Sequence, residues 1–98
     1  MENILEEIRT ERKRQDSKWG EQNHSTFMWC VILGEEVGEV NRAALEHSVL
    51  VNNPDHKNHD KAPLWLESYR DEMVQVAAVA VAAIESIDRQ RKDAENKS

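Results

Sequence analysis

Gly34-Glu35-Glu36-Val37-Gly38-Glu39-Val40 sets three carboxylates in a run bounded on both sides by apolar residues. At about 100° per helical residue, Glu35 and Glu39 (i, i+4) and Glu36 and Glu39 (i, i+3) project from one side of a helix. Like charges at that spacing repel by a few tenths of a kcal/mol on an exposed helix, and by more where water is scarce. The cluster is easiest to understand with a cation among its members, and oxygen-only ligands favour magnesium, manganese or calcium over zinc. A solvated acidic face is the alternative reading of the same residues.

Outward from this run, Ser25 is a good N-cap and a helix is expected to about Glu46. Trp29, Leu33, Val37, Val40 and Ala44 give it an apolar face at three- and four-residue steps. Gly34 and Gly38 each cost roughly 1 kcal/mol of helix propensity, and would be explained by the close approach of another backbone or a ligand. Residues 47–62 have no clear period and hold Asn-Asn-Pro, which predicts a loop or lid. His56 and His59 in that loop invite a metal reading, but no cysteine pair or His-Glu-x-x-His frame accompanies them.

Pro63 suits the first turn of a further helix, with Ser68 as a second possible start, and that helix is expected to end near Arg91, before a polar tail at 92–98. Its residues 73–84 are apolar on every side except at Gln75, the pattern of a helix covered all round. Twelve such residues fall short of the roughly twenty needed to cross a bilayer, so burial against a second copy of the chain is expected. Glu72 and Gln75 share a face, and antiparallel packing would bring Glu72 to Glu36 and Glu39. Glu85 and Asp88 lie too far along the helix to serve the same site and read as solvated.

Upstream, residues 3–18 read as a first helix with Asn3 as N-cap and a thin stripe of Ile4, Leu5 and Ile8. Its second half is basic, either a solvated face laced with local ion pairs or a set of phosphate contacts from Arg12, Arg14 or Lys18. Trp19-Gly20 closes that helix, Gly20 taking the left-handed conformation and Trp19 serving most simply as a core anchor. His24, at the end of the polar link 21–24, either starts the next helix or meets a base.

The 98 residues make one domain with a modest core, and a formal net charge of −6 argues against a nucleic-acid polymer as partner. The lone Cys30 excludes a disulfide framework and suggests a buried thiol in a reducing cytoplasm. No basic-then-apolar leader opens the chain, so no secretory signal is expected.

Glu36-x-x-Glu39 on one helix, followed by Glu72-x-x-Gln75 on the next, resembles the MazG-like all-α nucleoside triphosphate pyrophosphohydrolases. The opening Ile8-Arg9-Thr10-Glu11-Arg12-Lys13-Arg14-Gln15-Asp16 to Trp19-Gly20-Glu21-Gln22-Asn23-His24 is similar to a small phage and bacterial branch of that superfamily, and the likeness spans about residues 4–88. The resemblance implies an antiparallel helical bundle completed by homo-oligomerisation as a dimer or tetramer. It implies magnesium, with manganese as the alternative, and hydrolysis of a nucleoside triphosphate to the monophosphate and pyrophosphate. Glu36, Glu39 and Glu72 match the family's carboxylate positions; the fourth, usually Asp, is Gln75 here, whose amide supplies one neutral oxygen and no charge. By the same likeness Trp19 and His24 are candidates to meet the base, Arg14 and Lys18 to meet phosphate, and Glu35, beside Glu36, to orient the attacking water. Three functional classes therefore stand open: this hydrolase, a relative that binds a nucleotide or a partner helix without turnover, and a histidine-based metal sensor.

Overall fold

In the computed structural model, which describes residues 1–97, the chain forms three helices: α1 (Glu2–Trp19), α2 (Thr26–Val51) and α3 (Ala62–Lys97). A single 3-10 turn, His59–Lys61, leads into α3. The described residues contain no strand, so the all-α class stands. None of their helices is long and apolar enough to cross a membrane.

The helix ends have local causes. Ser25 caps α2, its hydroxyl accepting from the Met28 N–H at 3.1 Å. Gly20 closes α1 at φ 72°, a conformation that costs glycine little. Pro63 sits in the first turn of α3, where a missing N–H leaves no bond unmade. Asn3 is not a cap: α1 begins one residue earlier, with Met1 in the cap position and Glu2 favourably placed at the positive end of the helix.

Two elements are longer than the sequence pattern predicts. Helix α2 runs past Glu46 to Val51 because its inward stripe of Val40, Ala43 and His47 continues to the buried Leu50. The expected loop over 47–62 shrinks accordingly to residues 52–58 and the 3-10 turn. Helix α3 starts at Ala62, leaving Ser68 inside it, and extends through the polar residues 92–97, where Lys, Ala and Glu sustain a solvated helix. Ser98 of the expected tail lies outside the described residues.

Helix α3 is the middle of a layer. Trp29 packs against Val79 and Ala82, and Arg42 lies over the Trp65 ring at 5.9 Å, so α2 and α3 are antiparallel. Glu7 pairs with Arg70 at 2.6 Å and Arg12 with Glu85 at 2.8 Å, so α1 runs parallel to α3 on its other flank. Among the described residues α1 buries none of its own, and its backbone does not reach α2. The core is correspondingly small, built mainly from Trp29, Val40, Ala43, Leu50, Ala78, Val79 and Ala82.

Several expected positions move as a result. Trp29 is 7% exposed and Trp19 60%, so the anchoring indole is the one on α2, and Trp19 is no core anchor. Val37 and Ala44 face outward, because α2 packs on one helix only and its contact stripe is narrow. Cys30 is exposed rather than buried, on the flank of α2 beside that stripe. Within one chain, Ala78, Val79 and Ala82 of α3 are buried, whereas Met73, Val81 and Ile84 remain exposed. Glu85 is engaged by Arg12 rather than simply solvated. No close approach within the chain explains Gly34 and Gly38, since a Cβ at either meets nothing within 4 Å among the described residues.

Candidate functional site

A three-helix layer leaves a groove over its middle member. Gln75, Val79 and Ala82 of α3 form the floor, Arg14, Gln15, Lys18 and Trp19 of α1 one wall, and Trp29, Ile32 and Glu36 of α2 the other, with Gln22 closing one end. The cleft measures about 370 Å³. Of the residues singled out in the sequence, Arg14, Lys18, Trp19, Glu36 and Gln75 therefore stand round one cavity.

Glu39 and Glu72 do not line this cleft, although their charges act on Glu36, which does. Burial pushes the Glu36 carboxyl above the usual carboxylate range, and the negative charges of Glu72, Glu39, Glu35 and Glu11 push it further. Glu72 is likewise raised, by burial first and then by Glu39 and Asp71. Acidic groups from α2 and α3 thus lie close enough to oppose one another's ionisation, one helical turn from Gln75. Glu35 is exposed and does not line the cleft, so of the two carboxylates considered for water only Glu36 faces it.

The donor chemistry suits a hard divalent cation, although no three acidic, histidine or cysteine side chains among the described residues form a closed ligand cluster. Magnesium does not require one, since it usually keeps several waters and takes one or two carboxylates together with phosphate oxygens.

The cationic side of the cleft is already partnered. Arg14 donates to Glu11 at 2.7 Å, and that contact, with a smaller contribution from the neighbouring Gln75 amide, holds Glu11 below its ordinary range. The Lys18 ammonium lies 4.8 Å from the Trp19 ring centroid. Arg12 faces away from the cleft and serves packing, bridging Glu85, Asp16 and Gln15.

His24 lies outside this cleft. Its ring meets Trp29 edge-on, centroids 4.9 Å apart at 73°, and lines a separate apolar pocket of about 270 Å³ with Cys30, Leu33, Ile84 and Ile87. Trp29 lines both cavities and so divides them. The His24 Nε2 and Trp29 Nε1 atoms are buried with no hydrogen-bond partner among the described residues.

Histidines of the 52–61 segment do structural work. His59 donates from Nδ1 to the Leu50 carbonyl at 2.6 Å, satisfying an open acceptor at the end of α2. His56 Nδ1 accepts from the Asn58 N–H at 2.9 Å. Both contacts use Nδ1, and no third acidic, histidine or cysteine side chain among the described residues joins the pair in a metal-binding group.

Trp29 and Gln15 line the cleft although neither was singled out for the site from sequence, and Glu11, on the same face of α1 as Gln15, holds Arg14 beside it. Glu11, Arg14, Gln15 and Lys18 follow one another at i, i+3, i+4 and i+7, one face of α1, and that spacing was the available signal. Compared with protein-family models, curated proteins and solved structures, the chain matches none.

Proposed function

We propose that the chain is a magnesium-dependent nucleoside triphosphate pyrophosphohydrolase of the MazG-like kind, assembled from two or four copies in a reducing cytoplasm. The observation that carries this reading is the cleft over α3, where the half-buried Glu36, the Gln75 amide, two cationic side chains and an exposed indole surround about 370 Å³. Glu39 and Glu72 add charge beside Glu36, and their mutual opposition is relieved by a bound cation.

In this reading Glu36, Glu39 and Glu72 hold the metal, with Gln75 as a neutral oxygen donor. A magnesium ion held there would supply positive charge against that developing on the phosphate oxygens. Glu36 would orient a water toward the α-phosphorus, and cleavage of the α–β anhydride would release pyrophosphate. Lys18 and Arg14 meet the phosphate chain, Arg14 exchanging part of its bond to Glu11 for the ligand. Trp19 offers an exposed ring face to a base; His24 lies across Trp29 and meets a base only if the nucleotide extends past that indole.

Self-association has support of its own. The radius of gyration is 17.4 Å, against about 13 Å for a compact chain of this length. Met73, Val81 and Ile84 on α3 and Phe27, Val31 and Leu45 on α2 are apolar and uncovered.

Gln75 favours a second reading, a nucleotide binder without turnover, since its amide carries no charge for a second ion. Calorimetric titration with a panel of nucleotides in magnesium separates the two. Binding accompanied by product supports the hydrolase and binding without product supports the binder. Absence of binding across the panel overturns both.

A further inference from the structure

The link between α1 and α2 is gripped by two adjacent residues near the end of α3. The Arg89 Nη2 donates to the Gln22 carbonyl at 3.0 Å and to Asn23 Oδ1 at 3.1 Å, while Nε lies 3.2 Å from Asn23 Oδ1 and 2.8 Å from Glu21 Oε1. The Gln90 amide donates to the His24 carbonyl at 3.3 Å and to Ser86 Oγ at 3.1 Å, and Ser86 is fully buried. Glu21 to His24 are therefore all held by the same turn of α3.

This grip matters because α1 is otherwise held loosely. None of its residues is buried among those described, and its ion pairs to α3, Glu7–Arg70 and Arg12–Glu85, have partly exposed partners. Pairs of this exposed kind, screened by solvent, contribute little to stability. Gly20, at φ 72° and with no atom of the described residues within 4 Å of where a Cβ would stand, gives the chain a pivot directly after Trp19. Lys18 and Trp19, which form one wall of the cleft, precede that pivot, and Gln22, which closes its end, follows it.

We propose that Arg89 is a positioning residue: its guanidinium fork fixes the α1–α2 link and so locates the C-terminal end of α1 and the width of the cleft between α1 and α2. The ligand-binding consequence rests on the reading of that cleft as a phosphate and metal site; the mechanical claim does not. A planar fork is needed because one group must satisfy a carbonyl, an amide oxygen and a carboxylate at once, which a lysine ammonium on a flexible stem does not reproduce.

Arg89→Ala and Arg89→Lys in the full chain test this by amide hydrogen exchange over residues 14–25 and by calorimetric binding of magnesium with inorganic triphosphate. Arg89→Ala is expected to speed exchange over 14–25 by about tenfold through local opening, with exchange around Val79 unchanged. It is expected to weaken triphosphate binding by about tenfold, the scale of a misplaced contact. Arg89→Lys keeps a charge for Glu21 and should fall between, and it decides the matter should the alanine variant fail to fold. Unchanged exchange over 14–25 overturns the proposal, as does faster exchange with undiminished triphosphate affinity. If the native chain binds no triphosphate, the cleft reading fails and the exchange result alone decides the role of Arg89.

Discussion

Glu36→Gln should stabilise the metal-free protein while removing its response to magnesium. The substitution keeps the side chain's size and deletes a charge that burial and the neighbouring Glu72, Glu39, Glu35 and Glu11 all oppose. Each like-charged neighbour contributes a few tenths of a kcal/mol, so the relief should amount to about 0.5–1 kcal/mol. For a domain of this size that corresponds to about 2–8 °C in melting temperature. The pH dependence has a definite sign. A carboxyl whose folded pKa exceeds its ordinary value of 4.5 costs nothing below 4.5 and destabilises increasingly as pH rises through the folded value. The advantage of Glu36→Gln is therefore greatest above the folded value and closes toward 4.5. Glu7 and Glu11, held low by Arg70 and Arg14, behave oppositely: their contribution is present above 4.5 and is lost as pH falls below it, outside this window. Thermal unfolding by circular dichroism at fixed protein concentration, across this range and with or without magnesium, makes the comparison. A metal-free variant less stable than the native chain at neutral pH would refute the reasoning, as would a gain that persists undiminished at pH 4.5.

Three further predictions concern the frame. Trp29→Ala removes the largest side chain of the core contact with Val79 and Ala82 and should cost about 3–5 kcal/mol, read as a shift in urea midpoint. Ser25→Ala deprives the Met28 N–H of its acceptor and should cost about 1 kcal/mol in the same assay. His59→Ala leaves the Leu50 carbonyl without its ring donor and should cost about 1–2 kcal/mol. Zinc titration of that variant should match the native chain, and a lost zinc affinity would favour the metal-sensor reading instead.

Where a boundary depends on one residue's chemistry, the sequence is legible. Ser25, Gly20 and Pro63 mark their helix ends because capping, left-handed backbone and a missing N–H are properties of single residues. The pairing of Glu36 with Glu72 and Gln75 was also accessible, since antiparallel neighbours bring i, i+3 faces together.

What escaped depends on which helix meets which. Nothing in a one-dimensional period says that α1 packs parallel to α3 while its backbone, among the described residues, stays clear of α2, and that placement turns Arg12 toward Glu85 while Arg14 and Lys18 face the cleft. The same limit applies to the indoles, because Trp19 and Trp29 have equal appetite for burial. Only Trp29 lies on the inward stripe with Val40 and Ala43, and it then separates His24 from Trp19. The extension of α2 to Val51 was hidden by the polar His47 and Ser48, whose place in the helix is secured by Leu50 behind them.

The central claim is that acidic groups of α2 and α3 act with the basic face of α1 on a triphosphate. Incubation of the native chain with magnesium and a panel of canonical and modified nucleoside triphosphates, with every product identified, tests it most directly. The account predicts monophosphate and pyrophosphate from at least one substrate, abolished in folded Glu36→Gln and Glu72→Gln variants. Orthophosphate as the product, or pyrophosphate release that survives both substitutions, would contradict it.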